Sequence, residues 1–197
     1  MYKLSSLSLF MVNFIPVLGV LFLDWNIAAI MILYWSENLV IGFFNIIKMA
    51  RARGREKPLS LINVHNPQRG RSYTIVFFIF HYGFFTLGHG VFVFSMFGKP
   101  DTDPFILIFT LLFLFTSHYI SYQKNFINNG EYLKVSFNQL FLQPYKRVVV
   151  MHITIIAAGF FIQSQGNSRP AILILVGLKT IIDLISHQIE HRKFQRV

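Results

Sequence analysis

Apolar residues fall along this chain in six long blocks, at 4–23, 27–49, 74–97, 105–122, 145–162 and 170–187, separated by short polar stretches. A helix needs about 20 predominantly apolar residues to cross the hydrocarbon core of a bilayer. The blocks therefore predict an all-α, polytopic membrane protein with six transmembrane helices forming one domain. The first block is longer than a signal-peptide core and has no small-x-small pattern ahead of Asp24, so it is read as a retained helix, kinked at Pro16. Lys124 to Pro144 is too polar to span, but Leu133, Phe137, Leu140 and Phe141 share one helical face. That places an amphipathic segment, about 131–142, in the membrane interface.

Charge then orients the helices. The 197 residues carry 18 Lys and Arg against 8 Asp and Glu, a net +10. Between blocks two and three stand Arg51, Arg53, Arg55, Lys57, Arg69 and Arg71 against the single acid Glu56. An excess of Lys and Arg marks cytoplasmic loops, and alternation then puts both termini in the cytoplasm, with the inner (plasma) membrane as the location. The 98–104 turn, with two acids and one base, suits the outside. Because the cations sit between apolar blocks they act as topology signals, and nucleic acid is not an expected partner. Membrane lipids are, with anionic headgroups at the basic 51–73 loop, and a homo-oligomer is compatible with the sequence. The chain has no cysteine, which removes disulfides, thiolate ligands and thiol nucleophiles. Any metal must be held by nitrogen and oxygen.

The costly residues are those inside the blocks. Residues 80–94 carry His81 and His89 among Gly83, Gly88 and Gly90, and an ionisable group within a span is by default a candidate for function. At ~1.5 Å per residue, His81 and His152, each seven residues into its block, lie about 10 Å inside the inner boundary. His118, Asp183 and Asn45 each stand four residues before a block's inner end. One inner layer is thus expected to hold His81, His118, His152, Asp183 with His187, and Asn45, with Glu37 (beside Asn38) and His89 nearer the midplane. Glu37 and Asn45 are eight apart, as are His81 and His89, so each pair shares a helix face. Lys179, Asp183 and His187 form an i, i+4, i+8 stripe in which Lys179 can pair with Asp183.

Imidazole and carboxylate from several helices can build a metal site in a bundle core. The leading expectation is a buried cytoplasmic-side centre with His81, His118, His152, Asp183 and His187 as ligands to zinc, iron or manganese. Glu37 and His89 would act as proton donor or acceptor, and a metal-bound water could attack a lipid-like substrate. A proton-coupled transporter or channel relaying through Glu37, His89, Lys179 and Asp183 is the alternative of another class. Two histidines holding haem, with Gly83, Gly88, Gly90 and Gly159 admitting the macrocycle, is a third, and a bundle merely locked by polar contacts a fourth. The plain reading of any one histidine is an imidazole bonded to a carbonyl, and of the glycines, close helix packing. His187-Gln188-Ile189-Glu190-His191 matches the inverted H-x-x-E-H zinc motif, but only six residues follow to supply a third ligand, and a basic helix end explains it as well. His65 reads as a solvated loop histidine. No Gly-x-Ser-Gly, His-Glu-x-x-His, Walker loop or dinucleotide fingerprint is present.

Tyr34-Trp35-Ser36-Glu37-Asn38 with Asn45 and Lys48-Met49, His81-Tyr82-Gly83 with His89-Gly90, Ser117-His118, Pro144-Tyr145 with Arg147 and His152, and Lys179-Thr180 with Asp183 and His187 together carry a resemblance. Over nearly its whole length the chain resembles an uncharacterised family of prokaryotic membrane proteins, catalogued as a domain of unknown function. The resemblance implies that the polar layer coincides with the family's motif positions; it brings no activity, substrate or cofactor.

Overall fold

A computed structural model describes residues 15–54, 67–165, 170 and 172–181, and among these it is mainly helical, with no strand. Helices α1 (15–22), α2 (Ile27–Arg51), α3 (Pro67–Phe97), α4 (Pro104–Ser121), α5 (Phe137–Gln165) and α6 (Ile172–Ile181) account for most of it. Helix ends follow local chemistry. Asn26 caps α2 by accepting from the Ala29 N–H, and Asp103 caps α4 by accepting from Phe105, with Pro104 in the first turn. Proline at that position loses only an N–H that has no helical partner anyway.

Three helices, Ile27–Arg51, Gly70–Phe97 and Pro104–Asn128, are long and apolar enough to cross a membrane. Within an apolar 18-residue stretch of each, the share of residues buried is 67%, 22% and 17%, so α2 is the central helix and the other two wrap it with their outer faces open. Those faces are apolar: Phe80, Phe84, Phe105 and Phe109 are all more than 70% exposed. A soluble monomer does not tolerate so much exposed aromatic surface, whereas lipid covers it without cost.

Two apolar clusters are strung along α2. Near its start, Ile27 to Tyr34 pack with Trp25, Val93, Leu114, Ile155, Leu175 and Val176; near its end, Phe44 and Met49 pack with Phe78, Tyr82, Tyr122, Phe126 and Leu140. Between them lie Ser36, Glu37, Asn38 and Gly42, buried but outside both clusters. Contacts fix the directions. Trp35 bonds Thr86 and Asn38 accepts from Tyr82, so α2 and α3 are antiparallel; Asn45 bonds Leu140 and Asn38 meets Met151, so α2 and α5 are antiparallel too. Helices α3 and α5 therefore run alongside each other in the same direction.

Two expectations about segment boundaries are corrected. Helix α4 does not stop at Tyr122 but widens into a π-helical turn, Tyr122–Asn128, ended by Gly130 in the left-handed conformation. The segment expected to lie in the interface, 131–142, is divided. A short 3-10 turn covers Glu131–Leu133, and from Phe137 the chain is already α5, with Phe137 and Leu140 buried against α2 and α3. Pro144 lies inside this helix and does not end it.

Candidate functional site

The polar centre lies between the two apolar clusters. Glu37 on α2 is buried, and its carboxylate meets Lys179 Nζ of α6 at 3.1 Å and Arg147 Nη1 of α5 at 3.6 Å. Three helices thus supply one carboxylate and two cations. Lys179 is buried as well, with its ammonium 4.3 Å from the centroid of the Tyr34 ring, where the ring's negative face adds to the carboxylate's attraction. Taking a charge out of water is expensive, and only a close, well-bonded counter-ion offsets it. For Lys179 the Glu37 carboxylate at 3.1 Å is such a counter-ion, and Glu37 has Arg147 as a second.

Asn38 adjoins the pair. Its amide nitrogen donates to Tyr34 O at 2.9 Å and reaches Met151 Sδ, while its Oδ1 is buried with no hydrogen-bond partner among the described residues. A cavity of about 20 Å3 opens beside it, lined by Tyr34, Glu37, Asn38, Arg147, Thr154 and Lys179 among others. That is room for one water with several polar neighbours, the condition under which a buried water is stable. A water held there would lie beside the Glu37 carboxylate.

Of the described candidate ligands, His118 is the one within electrostatic range of Glu37. It stacks on Phe44 of α2, at 6.3 Å between ring centroids. The other described histidines lie elsewhere, between α3 and α5. His81 Nδ1 meets Tyr145 Oη at 2.9 Å, and its ring stacks on Phe77. His89 Nδ1 lies 2.7 Å from Phe85 O and its Nε2 lies 3.0 Å from His152 Nδ1. A carbonyl only accepts, so His89 donates from Nδ1 and, when neutral, its Nε2 accepts from His152. The two histidines eight residues apart on α3 do share one face, as spacing predicts, and that face looks at α5.

The expected single layer does not form among the described residues. His81 stands level with Tyr145, and His152 level with His89, because α5 begins at Phe137 instead of Tyr145 and its register against α3 is shifted by seven residues, about 10 Å. No three His, Asp or Glu side chains gather closely enough to hold a metal among the described residues. Asp183 and His187, the remaining candidate ligands, and the 187–191 motif lie outside the described residues, as do His65 and the first part of the block at 4–23. Asn45 spends its amide on Leu140 O, tying α2 to α5. Of the glycines that were to admit a haem, Gly90 is filled by Trp35, whose indole would lie 2.7 Å from an added Cβ, so it serves helix packing. Gly83 and Gly88 have nothing near them.

Arg147 is the functional residue that sequence counting missed. Placed two residues after the expected helix start it looked like a boundary cation; with α5 starting at Phe137 it lies ten residues in. Its presence beside Tyr145 and His152 among the family motif positions was the available signal.

Comparison with known proteins agrees with the sequence. A family of unknown function (DUF6498) matches residues 2–197, and the chain belongs to that family. No curated protein and no solved structure matches.

Proposed function

We propose that this member of the family is a proton-coupled transporter of the inner membrane, with six spans and both termini cytoplasmic, and that Glu37 is its coupling carboxylate. The observation that carries this reading is the Glu37–Lys179 ion pair, buried where three helices meet, with Arg147 as second cation. With all three groups charged the centre carries a net +1. A proton on Glu37 removes the negative group that meets both cations, the only carboxylate of the centre among the described residues. Protonation thus acts directly on the contact between α2 and α6, the kind of linkage a carrier needs between an ion and a change of shape. The same net charge favours an anionic substrate, which could take Glu37's place between Lys179 and Arg147.

The shared direction of α3 and α5, and the basic segments at one end of α2 and α3, support alternating spans. A metal-dependent enzyme using His81, His118, His152, Asp183 and His187 has less support, since its three described histidines stand apart.

The test is a flux measurement. Protein reconstituted in liposomes with an internal pH-sensitive dye is presented with small carboxylates and phosphate esters under an imposed pH gradient. An anion-dependent proton flux that Glu37→Gln abolishes is the expected result. A flux unchanged in Glu37→Gln, or no anion-dependent flux for any compound in the wild type, would overturn the reading.

A further inference from the structure

A second basic site lies at the far end of α2, away from Glu37. Lys48 and Arg51 occupy the last turn of this helix, which is capped as Ala52 N–H donates to Lys48 O. The chain then lies against the 131–135 turn, with Arg53 N–H donating to Tyr132 O at 2.7 Å and Gly54 N–H to Val135 O at 3.2 Å. Early in α3, Arg71 donates a side-chain hydrogen bond to Ala52 O. These contacts gather Arg51, Arg53 and Arg71, distant in sequence by up to twenty residues, around one cavity of about 430 Å3, lined also by Ala50, Ile127 and Tyr132. Among the described residues no carboxylate lines it, and Glu131, the acid of the neighbouring turn, is not among the lining residues.

Two of the guanidinium groups are held in place. Arg51 Nη1 donates to Tyr122 Oη at 2.5 Å and its guanidinium lies 5.9 Å from the ring centroid, while Arg71 lies 5.2 Å from the ring centroid of Phe137. Stacking of this kind fixes the planar fork while consuming few of its five N–H donors. Three cations without a carboxylate among them repel one another. Such an arrangement is stable only if solvent, or an anion, neutralises it.

We propose that Arg51, Arg53 and Arg71 form a binding site for a phosphate group, carried either by an anionic lipid headgroup or by a soluble phosphorylated molecule. Phosphate matches the paired N–H geometry of guanidinium better than any other common anion except carboxylate, and it accepts from several forks at once. The cavity is of the size that small-ligand sites usually have. Its place, where the apolar length of α2 gives way to a basic turn, is where headgroup phosphates would lie if α2 spans a bilayer. Tyr132 at the rim supplies an aromatic wall of the kind common at membrane interfaces. This sharpens the general attraction expected of a basic loop into three named residues on separate elements.

The experiment is a titration of the full-length protein in neutral detergent with dioctanoyl phosphatidate, with inorganic phosphate, and with dioctanoyl phosphatidylcholine as control. The variants are R51Q/R53Q and, because Arg51 also contacts Tyr122, R53Q alone; the Arg53 side chain is exposed and its removal leaves the packing intact. Saturable phosphatidate binding is expected to weaken about fivefold per arginine removed, about 25-fold in the double variant. If inorganic phosphate displaces phosphatidate, the site takes soluble phosphates; if it does not, the lipid is the source. The proposal is overturned if neither ligand binds, if phosphatidylcholine binds as well as phosphatidate, or if R53Q and R51Q/R53Q bind as the wild type does.

Discussion

Removing one side of the Glu37–Lys179 pair should be far from symmetrical. In Glu37→Leu the two cations lose their common partner. Arg147, with its side chain 35% exposed, can turn toward solvent; Lys179, at 7%, cannot. Breaking a buried ion pair by removing one partner typically costs about 3–5 kcal/mol. In Lys179→Met, by contrast, Glu37 keeps Arg147 at 3.6 Å, and the expected loss is that of one buried hydrogen bond, about 1–3 kcal/mol. In the double variant both charges of the closest pair are gone, and apolar replacements of similar volume are commonly neutral or better. The double variant is thus expected to be more stable than Glu37→Leu alone. For a chain of 197 residues, each kcal/mol moves the melting temperature by about 2–4 °C, so Glu37→Leu should melt at least about 6 °C below the wild type. Tryptophan fluorescence of the detergent-solubilised variants during heating, with equilibrium unfolding in mixed micelles as a check, measures all four corners of the cycle. Additive losses in the double variant, or a larger loss in Lys179→Met than in Glu37→Leu, would refute the view that Glu37 neutralises a trapped lysine.

Two further outcomes follow from the packing and from the separated histidines. Gly90→Ala would push an added methyl into the Trp35 indole and disturb its 2.7 Å bond to Thr86 O; overpacking of this kind costs about 1–3 kcal/mol, and Trp35, one of only two tryptophans, should report it as a shift in emission. Elemental analysis of tag-free protein should find no stoichiometric zinc, iron or manganese. One equivalent that disappears in His152→Ala would instead place a metal ligand at the His89–His152 pair.

The apolar blocks made the helices legible because length and hydropathy are properties of one segment at a time. Glu37 and Lys179 were legible for the same reason: a charge in the middle of such a block is expensive wherever it points, so it had to be paired or used. What one segment cannot reveal is its offset against the next. Leu133, Phe137, Leu140 and Phe141 share a face that suits a helix lying on the membrane, but it suits equally the first two turns of a helix packed on α2 and α3, and Phe137 and Leu140 take the second course. That single choice moved His152 about 10 Å past His81 and up to His89, and drew Arg147 inward to Glu37. The partner of Lys179 was open for a related reason. Its nearest acid in sequence is Asp183, which lies outside the described residues, and a carboxylate from 142 residues earlier in the chain meets it.

The way α6 is fastened bears on the proposed role of this pair. Ile172, Leu175 and Val176 are buried in the apolar cluster at the start of α2, and Lys179, one turn further on, is held by Glu37 and the Tyr34 ring. The first attachment is hydrophobic and indifferent to protons; the second depends on a charge that a single proton removes. Neutralising Glu37 would therefore weaken one attachment of α6 while the other stays packed, so that a proton acts on how this helix meets α2. A scaffold needs no such arrangement, because apolar residues of the same volume would hold α6 at both ends at lower cost. Buried charge is retained at Glu37 and Lys179 at an energetic disadvantage, and a proton-dependent change in how α6 meets α2 is the use that this geometry suits.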